Sequence, residues 1–393
     1  MRHAEKNQQF KTFNEKDMKN KILLILSLFL TILNTSAQDI QKPELLNAAK
    51  YGDTIRIREL VQKGADINIK DKSNNYSPLM WASIKGNFDA AKLLIENGAE
   101  LNCLGEYNNS ALALAAFAGR IEIVKLLVLK GAEINPENPK YTSPLNSAVN
   151  EGHTEVARFL IDNGAVIQPD ILSQALQYPD NANPEIIYLL ILNGANVNAI
   201  SSKTFGGTTA LIWAVKNNYL DLVKFILEKK PDVNIQNKNQ STALLVATEY
   251  SLNEMAVLLI SNGADINTFS SRGSALMIAS ALRNRGLVEL LIESGADVNF
   301  TPNHYETAFI ISVKKNDLEI AKLLIKNGAN LDVKSLNGAT ALMIAVAFCH
   351  TEIVKLLIEN KADLNVINNN GETALSNTNC AEAYNLLKEA GAR

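Results

Sequence analysis

The amino-acid sequence predicts an all-α solenoid, a stack of about eleven antiparallel helix pairs joined by hairpin-like turns. Three observations predict this fold class. A short string that begins with Gly-Ala recurs at intervals of 30 to 36 residues along most of the chain. A Ser or Thr stands 21 residues before most of these glycines, and two apolar segments fill the interval between them. A period of this length indicates supersecondary units that bury their apolar faces against one another.

Residues 1–37 are predicted to be an N-terminal extension and a cleavable signal peptide. Two lysines precede an apolar segment, residues 22–33, and small residues follow it up to Ala37. This order is typical of secretory signal peptides. As a helix the segment spans about 18 Å, less than the roughly 30 Å of a bilayer core, so a stable membrane anchor is not expected. We expect a true start at Met18, cleavage after Ala37, and a bacterial chain that is periplasmic or secreted.

The remaining residues, 44–393, are predicted to form a single repeat domain. Residues 44–63 supply a first helix pair without a leading turn, and ten repeat units follow from about residue 66 to residue 393. The first helix of each unit begins at a residue whose side-chain oxygen accepts a backbone N–H of the first helical turn. These starting residues are Ser77, Ser110, Ser143, Asp170, Thr209, Thr242, Ser274, Thr307, Thr340 and Thr373.

A second helix fills the rest of each unit. In residues 351–359 the apolar side chains form one broad face, and Lys355 and Glu359 lie outside it. The Gly that closes this helix supplies a left-handed turn, and a polar stretch then leads to the next unit. The closing string begins at Gly64, Gly98, Gly131, Gly194, Gly263, Gly295 and Gly328, with degenerate copies at Gly164, Lys230, Lys361 and Gly391.

This two-part signature resembles the ankyrin repeat, whose unit is a hairpin-like turn followed by two antiparallel helices. The resemblance covers residues 44–393, with both halves of the signature in register. It implies an ankyrin-repeat solenoid whose concave face is built from turn tips and from the ends of the first helices. Such faces are the usual binding surfaces of repeat proteins. The resemblance therefore implies a protein partner, whose identity the fold does not fix.

Composition and motifs argue against several other classes of function. Lys and Arg number 38 against 41 Asp and Glu, so the net charge of −3 offers no positive excess for a nucleic-acid partner. The sequence contains neither Gly-x-Ser-x-Gly nor His-Glu-x-x-His, and no phosphate-binding Gly-x-x-x-x-Gly-Lys-Ser/Thr loop. We therefore predict a protein that is not an enzyme and that has no cofactor and no metal site.

Recurring polar residues are predicted to have structural roles. His153 and His350 fall at the turn between the two helices of a unit, where ankyrin repeats often place a Gly-His pair for local hydrogen bonding. Neither has a nucleophile in a matched position. An acidic residue also recurs after the closing Gly-Ala, which indicates a scaffold feature rather than a paired acid and base. Examples are Asp66, Asp265, Asp297 and Asp363.

Three cysteines are scattered along the chain, at Cys103, Cys349 and Cys380. Cys349 lies at the inter-helix turn of one unit, and Cys380 lies near the equivalent turn of the next. In an oxidising compartment these two could pair if their Cα atoms come within about 7 Å. Neighbouring helices pack about 8–10 Å apart, which favours free thiols. The sequence leaves both alternatives open.

Aromatic and basic residues on the expected concave face are the candidate partner-binding residues, because large aromatics commonly anchor protein partners. They are Tyr76, Tyr107, Phe117, Phe205, Tyr250 and Phe348, together with Lys85, Lys216 and Lys314. Each aromatic could equally pack against a neighbouring repeat. The same tips and helix ends include Lys238, Asn239 and Glu249. Trp81 and Trp213 are predicted to be packing residues in the first helices.

The sequence thus predicts an exported, monomeric, non-catalytic scaffold that binds a partner protein through the concave face. Two alternatives remain open. An enzyme or small-ligand-binding protein could use the irregular segment 170–207, which has a clipped turn, a swollen inter-helix loop, and Tyr178, Asp180 and Phe205 as candidate lining residues. A secreted effector aimed at a host protein would differ from the scaffold only in its destination.

Overall fold

A computed structural model of the chain describes residues 43–138, 140–177, 182–202, 206–301 and 306–393. The predicted signal peptide and Met18 lie outside these residues. The chain divides into two compact units, 1–167 and 168–393, which are described in turn. The division falls between Gly164 and Asp170, where the sequence has its clipped turn.

In its described residues the first unit contains four helix pairs. Its helices are α1 (43–51), α2 (Thr54–Gln62), α3 (Pro78–Lys85), α4 (Phe88–Glu96), α5 (Ala111–Phe117), α6 (Ile121–Leu129), α7 (Pro144–Asn150) and α8 (Thr154–Asp162). The first helices α3, α5 and α7 pack in one row, and the second helices α2, α4, α6 and α8 pack in another. Their apolar faces form the core, where Leu94 and Leu127, for example, are fully buried.

The second unit repeats this two-row arrangement. Its elements are α9 (Ile171–Ala175), α10 (Pro184–Leu192), α11 (Ala210–Lys216), α12 (Leu220–Glu228), α13 (Ala243–Glu249), α14 (Asn253–Ser261), β1 (Phe269–Ser270), β2 (Gly273–Ser274), α15 (Ala275–Ala281), α16 (Arg285–Glu293), α17 (Ala308–Lys314), α18 (Leu318–Lys326), α19 (Ala341–Ala347), α20 (Thr351–Glu359) and α21 (Ala381–Glu389). Helices α11, α13, α15, α17 and α19 pack side by side, as do the second helices from α10 to α21. The all-α solenoid architecture predicted from the sequence is confirmed.

Eight first helices begin where the sequence predicts. At each N-cap a Ser or Thr hydroxyl accepts the N–H three residues further on, which satisfies a donor that the helix itself cannot pair. In α3, for example, the Met80 N–H donates to Ser77 Oγ at 3.3 Å. The eight capping residues are Ser77, Ser110, Ser143, Thr209, Thr242, Ser274, Thr307 and Thr340.

The structure differs from the prediction at the last unit. Thr373 does not start a helix, and residues 374–377 form a turn instead. Its hydroxyl accepts the Ser376 N–H at 3.3 Å, and Ser376 Oγ accepts the Thr373 N–H at 2.8 Å. The segment that follows is rich in Ser, Thr and Asn, whose side chains compete with helical backbone bonds. Helix α21 is therefore preceded by a turn, whereas a first helix precedes each of the other second helices in the described residues.

The irregular unit has the features that its sequence predicts. Helix α9 has only five residues, and the next helix, α10, begins at Pro184. Asp170 precedes α9, but its side chain caps no N–H and its Oδ2 accepts the Gln174 side-chain amide at 2.6 Å. Its backbone is in the helical region, with φ at −98° and ψ at −1°, whereas capping residues such as Ser77 are extended. Tyr178 and Asp180 lie outside the described residues.

Cys349 and Cys380 form a disulfide, with their Cα atoms 5.5 Å apart. The sequence argument from helix spacing favoured free thiols, and it is wrong here for a geometric reason. Cys349 has a left-handed backbone, with φ at 58°, in the turn after α19, and Cys380 is the N-cap residue of α21. Neither residue lies within a helix, so the distance between helix axes does not set the distance between them. Cys103 is a free, half-buried thiol.

A ladder of side-chain to backbone hydrogen bonds connects successive repeats within each unit. The Asn that ends the closing string accepts the backbone N–H two residues after the closing Gly of the next repeat. In the first unit, Asn68 accepts from Glu100 at 2.9 Å, and in the second unit Asn299 accepts from Asn330 at 2.8 Å. The acidic residue of the string accepts the N–H two residues on, as Asp297 does from Asn299. These bonds explain why Asp66, Asp265, Asp297 and Asp363 recur at one position.

Asn299→Ala should lower the free energy of unfolding by about 1–2 kcal/mol, because it removes two hydrogen bonds at one repeat junction. Asn299 Oδ1 accepts the Asn330 N–H at 2.8 Å, and Asn299 Nδ2 donates to the Gly328 carbonyl at 2.9 Å. Denaturant unfolding measures the change. Asn299→Asp is the control, because an aspartate can keep the accepted bond but cannot donate to the Gly328 carbonyl. At the next repeat junction Asp332 accepts the Asp363 N–H in this way, at 3.0 Å, so we expect an intermediate cost. Equal losses for the Ala and Asp variants would contradict a role for the accepted bond.

The turn that follows each first helix requires a left-handed backbone. Glycine occupies it after all four first helices described in the first unit, at Gly52, Gly86, Gly119 and Gly152. The second unit has Asn218, Ser251, Arg283, Asn316 and Cys349 at this position, with φ between 52° and 60°. Residues with a Cβ are strained in this conformation by roughly 1–2 kcal/mol, although Asn tolerates it better than most.

Ser251→Gly should therefore raise the free energy of unfolding by about 1 kcal/mol, since relief of the strain exceeds the extra chain entropy of glycine in the unfolded state. The matched control is the reverse change, Gly152→Ser. A Cβ added at Gly152 meets no heavy atom within 4 Å, so its cost reports backbone strain, less the unfolded-state entropy that serine removes, without a steric clash. Thermal unfolding of both variants tests the argument, and a Gly152→Ser variant as stable as the wild type would refute it.

Candidate functional site

In each unit the turn tips and the C-terminal ends of the first helices form one surface, here called the tip surface. On the tip surface of the second unit, three successive repeats enclose a cavity of about 560 Å³, here called the groove. Its walls come from segments 206–216, 237–250 and 270–272. Pockets of about 300–1,000 Å³ are typical of ligand sites in proteins, so the groove has the size of a binding site.

The apolar part of the groove wall belongs to the core of the unit. Ile212 and Trp213 come from α11, and Val246 comes from α13. The Trp213 side chain is 2% exposed, and its ring centroid lies 5.3 Å from that of Tyr219. Trp213 is thus a packing residue, as predicted. Because these residues are held by close packing, the groove is formed before any ligand arrives.

The tip between α12 and α13 is held by one side chain. Asn237 Oδ1 accepts the N–H groups of Asn239 at 2.9 Å and of Ser241 at 3.0 Å. The Lys238 N–H donates to the Gly206 carbonyl of the preceding tip at 3.1 Å. These bonds fix the backbone of a tip whose Lys238 and Asn239 side chains are exposed at the groove.

A β-hairpin supplies the third wall of the groove. Strands β1 and β2 pair antiparallel, with Phe269 opposite Ser274 and Ser270 opposite Gly273, and this places Arg272 at the hairpin tip. A guanidinium nitrogen of Arg272 lies 3.5 Å from a carboxylate oxygen of Glu249 at the end of α13. The Glu249 side chain is 16% exposed, whereas that of Arg272 is 70% exposed. The pair thus leaves most of the guanidinium open to solvent.

The groove brings together two of the predicted partner-binding residues, Lys216 and Tyr250. Lys216 is exposed at the end of α11, and the Tyr250 side chain is 52% exposed immediately after α13. Phe205, which was predicted to belong to the same surface, lies outside the described residues.

The other predicted residues are placed elsewhere. Tyr107, Phe117 and Phe348 are 68%, 47% and 62% exposed, but none of them lines the groove. Lys85 and Lys314 are exposed too, and Lys314 forms an ion pair with Glu306.

Tyr76 is 6% exposed and therefore offers almost no surface to a partner, contrary to its selection as an anchor. Its ring packs edge-on against Trp81 with centroids 5.4 Å apart, and its hydroxyl accepts the Asn109 amide at 3.2 Å. Trp81, predicted to be a core residue, is half-buried and its indole N–H donates to Asp71 at 2.6 Å. Burial raises the pKa of Asp71, but hydrogen bonds from Asn74, Trp81 and Ser73 outweigh it and hold the pKa below its ordinary value.

Arg272 is the charged groove residue that sequence analysis missed. The repeat that contains it is one residue shorter than most, because Gly263 and Gly295 are 32 residues apart. The residue four positions before the first-helix cap is Lys238 in the preceding repeat but Ser270 in this shorter one, so Arg272 does not stand at an equivalent position. The sequence signal for a hairpin tip is the Ser-Arg-Gly stretch at 271–273, because glycine readily adopts the positive φ that hairpin turns need. In the structure Gly273 has φ at 106°.

The two histidines of the inter-helix turns form hydrogen bonds that connect repeats, in agreement with their predicted structural role. His153 Nε2 lies 3.0 Å from the Phe117 carbonyl, and His350 Nδ1 lies 3.0 Å from the Val313 carbonyl. Both carbonyls belong to the first helix of the preceding repeat. Each imidazole is thus engaged with the backbone of its neighbour.

The described part of the chain lacks two further features. No group of three or more His, Cys, Asp or Glu residues is arranged there to hold a metal ion. No helix within those ranges is both long enough and apolar enough to cross a membrane.

Stacked pairs of short helices, hairpin-like tips and a groove on the tip surface define a helical repeat protein with an extended recognition surface. Comparison with family models identifies the family of repeats. A model described as ankyrin repeats in three copies matches residues 45–138, 172–270, 216–302, 276–368 and 309–391, and a single ankyrin repeat matches residues 141–173. The chain belongs to the ankyrin repeat family.

Several curated proteins are similar to parts of the chain. It is 30% identical over 100 residues to Palmitoyltransferase AKR1 of Saccharomyces cerevisiae, and this match covers 24% of the chain and 13% of that protein. It is 31% identical over 86 residues to Putative ankyrin repeat protein FPV031 of Fowlpox virus, covering 21% and 25%. It is 37% identical over 82 residues to Putative ankyrin repeat protein R664 of Acanthamoeba polyphaga mimivirus, covering 20% and 51%. The matches thus span between 13% and 51% of these relatives.

Proposed function

We propose that this protein is an exported, non-catalytic scaffold that binds a partner protein through the concave face of its ankyrin repeats. The observation that carries the proposal is the groove, a preformed cavity of about 560 Å³ built from three repeats on the tip surface. A preformed surface loses little conformational entropy on binding, so its contacts convert efficiently into affinity. Membership of the ankyrin repeat family supports a protein partner, because repeat proteins use such faces to bind other chains.

Site-specific photo-crosslinking in the native cell tests this function. A photo-reactive amino acid at position 250 probes the groove, and the same amino acid at position 257 is the matched control. Tyr250 follows α13 at the groove, whereas Val257 lies on α14 of the same repeat and is 48% exposed. We expect a crosslinked partner protein at position 250 and not at position 257. Equal crosslinking at both positions, or none at position 250, would contradict the proposal.

The proposal of export rests on the predicted signal peptide and on the Cys349–Cys380 disulfide. Disulfides persist in the periplasm and outside the cell, and they are rare in the reducing cytosol. Cells that express the full chain with a C-terminal tag can be separated into cytosol, envelope and medium. We expect the tagged protein outside the cytosol, with its N-terminus at residue 38. Recovery in the medium would favour a secreted effector, and recovery in the envelope would favour a periplasmic partner. An uncleaved chain in the cytosol would refute export.

A further inference from the structure

We infer that the groove binds an extended, acidic segment of the partner protein, with at least two carboxylates. This inference rests on the proposed function and names the chemistry of its partner. The first argument is charge. The groove is lined by three cations, Lys216, Lys238 and Arg272, and by one carboxylate, Glu249, a net charge of +2. The whole chain carries −3, so the groove is a positive site on an acidic protein.

The three cations are available to a ligand. Within the described part of the chain, no carboxylate lies within ion-pair distance of Lys216 or Lys238, and both residues are exposed. Arg272 faces Glu249 but has a side chain that is 70% exposed. A guanidinium has five N–H donors, so one carboxylate leaves donors for a second. Glu249, the one carboxylate of the described lining, thus already has a cationic partner, and the remaining cations favour an anionic ligand.

The remaining lining selects a peptide over a free anion. Ile212, Trp213 and Val246 are at most 5% exposed and belong to the core, so the apolar surface that a ligand meets comes mainly from Tyr250, whose side chain is 52% exposed. Apolar surface stabilises the burial of carbon-rich side chains, which inorganic anions do not have. Exposed hydroxyl and amide groups, such as those of Ser271 and Asn239, match the backbone of an extended segment.

Charge also argues against a nucleic acid in the groove. Binding to a phosphate backbone depends on many Lys and Arg contacts spread along a surface. Here the positive charge is confined to three side chains of one cavity on a chain with a negative net charge. A short acidic peptide needs only such a local site, and steering by charge would make its association depend on ionic strength.

A displayed library of random dodecapeptides tests this inference with the intact chain as bait. The selected peptides are then synthesised, together with versions in which Asn and Gln replace Asp and Glu. Binding is measured against the wild type, against K216E/K238E in the groove, and against K92E/K326E. The last pair makes the same charge change at exposed lysines of α4 and α18 that do not line the groove.

We expect the selected peptides to be rich in carboxylates and to bind K216E/K238E at least about tenfold more weakly than the wild type and K92E/K326E. Neutral peptide versions should lose affinity to a similar extent. Peptides without excess acid, equal binding to K216E/K238E, or equal competition by free phosphate or DNA would overturn the inference. The crosslinking experiment tests the proposed function separately. If a partner crosslinks at position 250 and still binds K216E/K238E, the proposed function stands and only the acidic segment is refuted.

Discussion

Cys380→Ala is expected to detach the last helix of the second unit. Helix α21 has a turn in place of a first helix, and it is joined to the turn after α19 by the Cys349–Cys380 disulfide, 31 residues apart in sequence. Cross-linking a loop of this length stabilises a fold by about 3–4 kcal/mol, mainly by restricting the unfolded chain. Hydrogen exchange should show lost protection in α21 and unchanged protection in the first unit, since repeat proteins unfold locally.

Thiol counting provides the accompanying control. The denatured chain should show one reactive thiol before reduction, that of Cys103, and three after it. Cys103→Ala should leave no thiol before reduction and should change the free energy of unfolding by less than about 0.5 kcal/mol. Alanine is preferred to serine at position 380 because a serine hydroxyl at an N-cap can stabilise the helix and mask the loss. Three thiols in unreduced protein would disprove the disulfide.

Phe309→Ala should lower the free energy of unfolding by about 3–5 kcal/mol, the usual cost of deleting a buried aromatic side chain. Phe309 is 1% exposed in α17, at a position where α19 has the buried residue Leu342. The loss combines the transfer free energy of the ring with a cavity between two rows of helices. Denaturant unfolding measures the total, and hydrogen exchange in α17 and α18 locates it.

Two matched variants separate the cavity from other effects of the substitution. Phe309→Leu installs the residue found at the equivalent place in α19, and it should cost less than about 1.5 kcal/mol. Phe348→Ala removes the same side chain from a site that is 62% exposed, and it should cost about 0.5 kcal/mol or less. If Phe309→Ala and Phe348→Ala had similar effects, burial at position 309 could not be the cause.

Features determined by local sequence were predictable from it. Hydroxyl caps such as Thr340, and closing glycines such as Gly328, act within a few residues of themselves, so their positions in the chain specify their bonds. The repeat period also gave the stacking of one helix pair on the next. The turn at Thr373 was missed because the cap residue is present but the following segment favours side-chain bonds over a helix.

The candidate site was only partly predictable, because it depends on three repeats at once. Lys216 and Tyr250 stand at helix ends, and their position together with their basic or aromatic side chain was enough to select them. Arg272 escaped because a repeat shortened by one residue changes which position forms the tip. Tyr76 was selected as an anchor, but Trp81 and Asn109 hold its side chain in the core. An exposed and a buried tip residue look the same in sequence when the difference lies in the neighbouring repeat.

The asparagine ladder makes the repeats of the second unit interchangeable. At each described junction after the irregular unit, a side-chain oxygen of Asn, or in one case of Asp332, accepts a backbone N–H of the next repeat. Removal of residues 267–298 would therefore leave Asn234 bonded to Asp265 and Asn299 bonded to Asn330. Whole repeats can therefore be gained or lost without new chemistry at the junction. The number of repeats sets the length of the recognition surface, whereas the tip residues set what it recognises, and these two properties can evolve or be engineered independently.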